Sequence, residues 1–339
     1  MTRIVRSIPR VYKVLRNERA IRSYFSARVT MAQSTKFLRL LVTFVVVVEL
    51  LETIHLAEAG ILDRVKKCGK NKKSDYEYDG TLARKMMAYS ATAYVKDHAL
   101  IRTWSCSLCQ ENLAGFEPLT VMEDKGTRVS CYSGYDAALN ANVLVFRGTT
   151  KSDFITHVRN WITNIDFVQV RPNALGGTTK IPGYVHKGFY VAYKSLQTEV
   201  LCNIMTLKAA HPDAELYVTG HSLGGALAVM ATIDIRVRGI YTNPIMINFG
   251  TPRVGNSCFG QYFSKKVPRR IRVAHPKDPV TKLPPPWLFY RHVGRKVLDK
   301  STNDHRSYLG FDSISSRRRR SPEPISDGSS GFNSTLKQL

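Results

Sequence analysis

Two runs of different character meet at a single serine. ELYVT (215–219) is a short β-rich stretch, and LGGALAVMATIDIRV (223–237) is long, apolar and helical in pattern. Between them stands Gly220-His221-Ser222-Leu223-Gly224, a G-x-S-x-G string. A chain that passes from strand to helix in so few residues turns sharply at the serine, straining its backbone and leaving little room for neighbouring side chains. Gly220, Gly224 and Gly225 meet that need. The turn lifts the Ser222 hydroxyl above the end of the strand. It also aims the backbone N–H of Leu223 at the same point, with the positive end of the helix dipole behind it.

The surrounding sequence repeats the strand-then-helix alternation. Between 60 and 310 no linker-like break occurs. Helical spacing covers 81–97 and 187–210, the latter stopping at His211-Pro212. NVLVF (142–146), IMINF (245–249) and 271–274 read as strands apolar on both faces, and 291–298 as an edge strand. This predicts an α/β fold with a mostly parallel central sheet and helices on both faces.

A serine hydroxyl is a weak nucleophile, so it needs a base, and the base needs an orienting acid. In chains of this pattern the order is Ser, then Asp or Glu, then His. Asp234 lies inside the helix that Ser222 opens. Asp278 follows a strand directly, while Asp299 and Asp304 fall in loops. Among the histidines, His275 is three residues from Asp278 and His292 is in the expected edge strand; His305 is in a loop after the last strand. Position alone favours Asp278 and His305 without excluding the others.

The motifs in order are FRGT (146–149), RNWI (159–162), HKGF (186–189), GHSLGGA (220–226), FGTPRVGN (249–256), DPV and LPP (278–280 and 283–285), and DHRSYLG (304–310). With these the chain resembles the fungal-type triacylglycerol lipases, the class 3 lipase family, on an α/β-hydrolase fold. The resemblance implies Ser222 as nucleophile, Asp278 as orienting acid and His305 as general base. It implies Leu223 N–H and Thr149 as the oxyanion donors. It implies a lid helix at 158–167, with Trp161, Ile162 and Ile165 on its apolar face. Nine residues (150–158) between FRGT and RNWI exceed the fungal spacing, which leaves the lid's hinge and length open. The reaction it implies is hydrolysis of acylglycerol esters through an acyl-enzyme, with phospholipase A1 or general carboxylesterase activity as alternatives. It needs no metal or cofactor. The partner it implies is a lipid interface, contacted peripherally, with no protein partner. A non-catalytic lipid-binding protein is a remote alternative, since every catalytic position carries a competent residue type.

The termini carry different signals. LLVTFVVVV (40–48) follows Lys36 and Arg39 and precedes Ala57-Glu58-Ala59, the layout of a secretory signal with cleavage after 59. An Arg-rich, acid-poor organellar targeting segment in residues 1–30 is the alternative. Three regions are expected: a leader (1–59), a lipase-like domain (60–312) and a basic, Ser-rich tail (313–339) expected to be disordered and carrying the sequon Asn333-Ser334-Thr335. Six cysteines behind a secretory leader suggest up to three disulfides. The net charge of +24 suits an anionic surface. No nucleic-acid motif accompanies it, so a polyanion binder is disfavoured.

Overall fold

The computed structural model describes residues 76–149, 167–300, 305 and 308, with the isolated positions 43, 46, 47 and 49. The chain divides into two units, 1–63 and 64–339, and every element below belongs to the second. Helix α1 (Gly80–Thr92) opens on Asp79, whose carboxylate accepts from the backbone N–H groups of Thr81 and Leu82. The helix expected to reach 97 ends at Thr92. A second cap causes the break: Asp97 takes the Ala99 N–H and starts α2 (His98–Arg102) afresh. Helix α3 (Ser107–Asn112) follows.

Three strands then run antiparallel, β1 (Phe116–Asp124), β2 (Val129–Asp136) and β3 (Ala141–Phe146). From β3 the sheet continues parallel through β6 (Glu215–His221), β7 (Ile245–Phe249), β9 (Arg270–Ala274) and β11 (Arg295–Leu298). The seven-stranded order is β1-β2-β3-β6-β7-β9-β11. A small second sheet joins β4 (Gln169–Val170), β5 (Val185–His186), β8 (Gly255–Asn256) and β10 (Tyr290–Arg291). The stretch 291–298, expected as one edge strand, is divided between the two sheets. Gly294, at φ 92°, turns the chain out of the small sheet and into the seven-stranded one.

Each face of the main sheet has its own core. Leu144 and Phe146 of β3 join α4 (Lys187–Ala210) and α5 (Leu223–Val237) through Phe189, Leu196, Val200, Leu227 and Met230. Val143 and Val145, on the opposite face, join Met86 and Tyr89 of α1. A strand buried on both faces cannot alternate apolar with polar, which is why NVLVF reads as a continuous run. The last helix, α6 (Ser257–Lys266), packs beside α5 and is capped by Asn256, which accepts from Phe259 N–H. Among the described residues no helix is long and apolar enough to cross a membrane.

Of the up to three bridges expected, fewer than three form. Cys106 bonds Cys109 and Cys258 is disulfide-bonded, but Cys131, buried, and Cys202, exposed, are free thiols. Cys131 lies inside the core of β2 and Cys202 on the outer side of α4, so neither faces a cysteine.

Candidate active site

The parallel register brings four strand ends together. Phe146 pairs with Gly220, His221 with Phe249, and Phe249 with Val273. Loops leaving the C-terminal ends of β3, β6, β7 and β9 therefore open at one edge of the sheet, where such folds build their sites.

Ser222 occupies the turn from β6 to α5. Its φ of 59° and ψ of −124° put a non-glycine residue in a strained region of backbone space. Close packing enforces the strain. A Cβ on Gly220 would lie 2.4 Å from the Gly224 carbonyl carbon, and one on Gly224 would lie 2.2 Å from the Phe146 oxygen. The Ser222 N–H donates to the Phe249 carbonyl at 2.9 Å, pinning the turn to β7. The side chain makes no helix-capping bond, so its hydroxyl is not consumed by α5. Leu223 opens that helix, and its N–H is among those without an intrahelical acceptor.

Asp278 follows β9 and is fully buried. Its Oδ2 accepts from His305 Nδ1 at 2.7 Å and from the Tyr308 hydroxyl, and its Oδ1 accepts from Val280 N–H at 2.8 Å. Burial pushes its pKa up, but the bonds from His305, Tyr308 and Val280 outweigh burial and hold the carboxyl below its ordinary value. The group is a carboxylate at neutral pH. A carboxylate only accepts, so His305 Nδ1 carries a proton and Nε2 is the basic nitrogen of the neutral ring. The ring sits against the strand end that Ser222 is bonded to: a Cβ on Gly250, the residue after β7, would be 2.7 Å from His305 Cε1. Of the pairings the sequence left open, the structure brings Asp278 and His305 together.

The remaining candidates have other work. Asp234 accepts from Tyr193 Oη (3.0 Å), Gln197 Nε2 (2.6 Å) and Arg238 Nε (2.7 Å), tying α5 to α4. His275 is buried, stacks on Tyr308 at 3.9 Å and faces Asp299. His292 lies outside any strand and donates from Nε2 to the Thr281 carbonyl. Thr149 stands half-buried at the end of β3, at the same edge as Ser222. The expected lid residues Trp161, Ile162 and Ile165, and Asp304, lie outside the described residues.

Three residues that sequence reasoning passed over also belong to the site. His221, beside the serine, is neutral: burial, with His305 next, drives its pKa down to about 3. Its Nε2 donates to the His305 carbonyl at 2.7 Å, so Nδ1 is the acceptor, and the Tyr94 hydroxyl donates to it at 2.8 Å. The Tyr94 oxygen in turn takes a backbone hydrogen bond from Gly148, next to Thr149. Tyr94 thus links the loop after β3, the serine turn and, through His221, the backbone of His305. No local sequence signal marks it, because its partners are 54 and 127 residues away. Tyr308 lies within the DHRSYLG string but was not assigned a role by it.

Among the described residues no group of three or more His, Cys, Asp or Glu is placed to hold a metal. The arrangement suits acyl transfer: a strained serine, a histidine oriented by a buried carboxylate, and N–H groups at a helix start.

Residues 143–287 match the family model described as lipase (class 3). A secreted mono- and diacylglycerol lipase of Fusarium solani is 34% identical over 49% of this chain and 46% of its own length. A lipase of Rhizomucor miehei is 31% identical over 62% of this chain and 56% of its own. The chain spans about half the length of the curated relatives it matches. Among solved structures, lipase II from Rhizopus niveus aligns with a TM-score of 0.58 at 27% identity, covering 67% of this chain and 84% of that one. The motif order, the sheet order and the 143–287 match converge: this stretch is similar to the class 3 lipases, and the domain has an α/β-hydrolase fold.

Proposed function

We propose that this protein is a secreted serine hydrolase that cleaves the ester bonds of acylglycerols at a lipid interface. The observation that carries the reading is the buried His305–Asp278 pair, set against the strand end to which the strained Ser222 turn is bonded. Ser222 Oγ attacks the ester carbonyl while His305 Nε2 takes its proton. The tetrahedral oxyanion meets Leu223 N–H and Thr149, donors each worth about 3–4 kcal/mol of barrier in comparable sites. His305 returns the proton to the leaving alcohol, and water then cleaves the acyl-enzyme by the reverse use of the same groups. Asp278 stays ionised throughout and holds the imidazole in the required tautomer. Acylglycerols as substrate and export as location draw support from the relative named as a secreted mono- and diacylglycerol lipase. In this reading residues 158–167 act as an apolar lid that opens on lipid.

Tributyrin hydrolysis, followed across its solubility limit with Ser222→Ala as control, tests the proposal. A rate that jumps once droplets form, and is absent from the variant, supports it. Saturation below the limit without a jump would make this a carboxylesterase or phospholipase with the same triad. Undiminished activity in Ser222→Ala would refute the nucleophile.

A further inference from the structure

The most exposed large apolar side chain among the described residues is Trp287, at 72% exposure. It lies on the 3₁₀ turn Pro286–Leu288, entered through Pro284 and Pro285. Phe289, next but one, is also exposed, and it holds φ at 64°. A bulky aromatic residue in that region is a backbone outlier. The turn is braced rather than loose. Gln169 Nε2 donates to the Leu288 carbonyl at 2.9 Å, Arg291 Nη1 to the Pro286 carbonyl at 2.8 Å, and Arg253 Nη1 to the Pro284 carbonyl at 2.9 Å. Two aromatic rings are therefore held out to solvent by a scaffold that spends two arginines and a glutamine on its backbone.

The charge around them has one sign. Lys282 and Arg291 are exposed at either end of the turn, with Arg253 behind it. Residues 279–298 contain no carboxylate, and residues 235–298 carry thirteen Lys and Arg against one acid, the buried Asp278. Much of the domain's excess charge is thus concentrated in this quarter of it. The turn starts eight residues after Asp278, and Tyr290 beyond it donates to the Phe167 carbonyl, where the chain returns from the stretch expected to hold the lid.

We propose that the Trp287–Phe289 turn is a docking wedge for an anionic lipid surface. Trp287 and Phe289 enter the interfacial layer, where amphipathic rings are favoured. Lys282 and Arg291, both exposed, face the lipid phosphates, each contributing about fivefold in affinity. The wedge gives the domain a fixed attachment beside the Ser222 opening, independent of the 158–167 stretch, and it makes negatively charged interfaces the preferred ones. The orientation, though not the binding, rests on the lipid-hydrolase reading of Ser222.

The test is vesicle co-sedimentation of the full chain carrying Ser222→Ala, so that no lipid is consumed. Phosphatidylcholine vesicles with and without phosphatidylglycerol are compared. Binding is expected to the anionic vesicles and to fall with salt. Trp287→Ala should weaken it about tenfold. Lys282→Gln should weaken it about fivefold on anionic vesicles and leave neutral ones unchanged. Adding Trp161→Phe leaves Trp287 and the buried Trp104 as the indoles, and Trp287 emission should then shift to the blue and be quenched by nitroxide-labelled lipid. Equal binding to neutral vesicles, undiminished binding in Trp287→Ala, or a Trp287 still open to acrylamide on the vesicle would each overturn the proposal. Hydrolysis of a soluble ester by the unsubstituted chain reads the triad separately, so failure of the wedge and failure of the catalytic reading are distinct results.

Discussion

Removing one oxygen from Tyr94 should cost more than its distance from the reacting atoms suggests. Tyr94→Phe deletes the hydroxyl that donates to His221 Nδ1 at 2.8 Å and accepts from the Gly148 backbone. Both partners are buried, and the space is tight: a Cβ on Gly148 would lie 2.0 Å from that hydroxyl and 2.6 Å from the His221 carbonyl. No water fits in so close a contact without displacing the backbone. Two buried polar groups are left unpaired, each costing about 1–3 kcal/mol, so a destabilisation of about 2–5 kcal/mol is expected. The same change unties the Gly148-Thr149 loop from the serine turn. Loss of a whole oxyanion donor costs about 100- to 1000-fold in kcat. A loosened donor should cost about 10- to 100-fold. Urea unfolding gives the first number, and p-nitrophenyl butyrate hydrolysis gives the second, with KM expected to change little. Stability within about 0.5 kcal/mol of the parent together with unchanged kcat would refute the coupling of loop to serine turn through Tyr94.

Other consequences follow from the same geometry. Asp278→Asn replaces an anion by an amide that favours the wrong His305 tautomer, and kcat on a soluble ester should fall about 1000- to 10,000-fold while near-UV circular dichroism is retained. Gly250→Ala drives a methyl to within 2.7 Å of the His305 ring at a φ of 55°; displaced imidazole should lower kcat at least about tenfold, and a parent-like rate would remove His305 from the base position. His221 and His292 are both held neutral by burial, the former with a pKa of about 3. The unfolded chain binds protons that the folded one refuses, so stability is full above pH 6.5 and falls as pH drops from there towards 3. The slope approaches about 1.4 kcal/mol per pH unit for each group. Asp278 has the opposite origin, a depressed carboxyl pKa, and its contribution is lost only below about pH 4. Urea midpoints between pH 7 and 4 check this, and His221→Gln should flatten the slope.

Much of the fold was legible because its central elements are buried on both sides. NVLVF, ELYVT, IMINF and the 187–210 and 223–237 helices carry enough apolar periodicity to be placed within a residue or two. The outer elements do not. Strand β1 (FEPLTVMED) mixes acids with its apolar residues because it is a partly exposed edge strand, and β2 (VSCYSGYD), though buried, carries serines and a glycine that break the apolar run. The division of 291–298 depends on Gly294, whose φ of 92° no periodicity foretells. At the site, Ser222 could be read from its own neighbours, since a strained turn leaves glycines behind. The Asp278–His305 pair could be narrowed by chain order and settled only by contact. Tyr94, Tyr308 and His221 escaped because their roles consist of hydrogen bonds to residues 30 to 127 positions away, and the identity of a tyrosine says nothing about where its hydroxyl will end. The pairing of Cys106 with Cys109 likewise follows from the α3 turn, which sets their Cα atoms 5.0 Å apart.

The central claim is that one serine, activated by His305, becomes covalently acylated. Its most direct test is peptide mapping by mass spectrometry after reaction with diethyl p-nitrophenyl phosphate, which traps nucleophilic serines as stable phosphoesters. The account predicts one adduct per chain, on Ser222, absent from Ser222→Ala and formed at least about 1000-fold more slowly in His305→Ala. No adduct in an otherwise folded protein, an adduct on another residue, or undiminished labelling without His305 would contradict it.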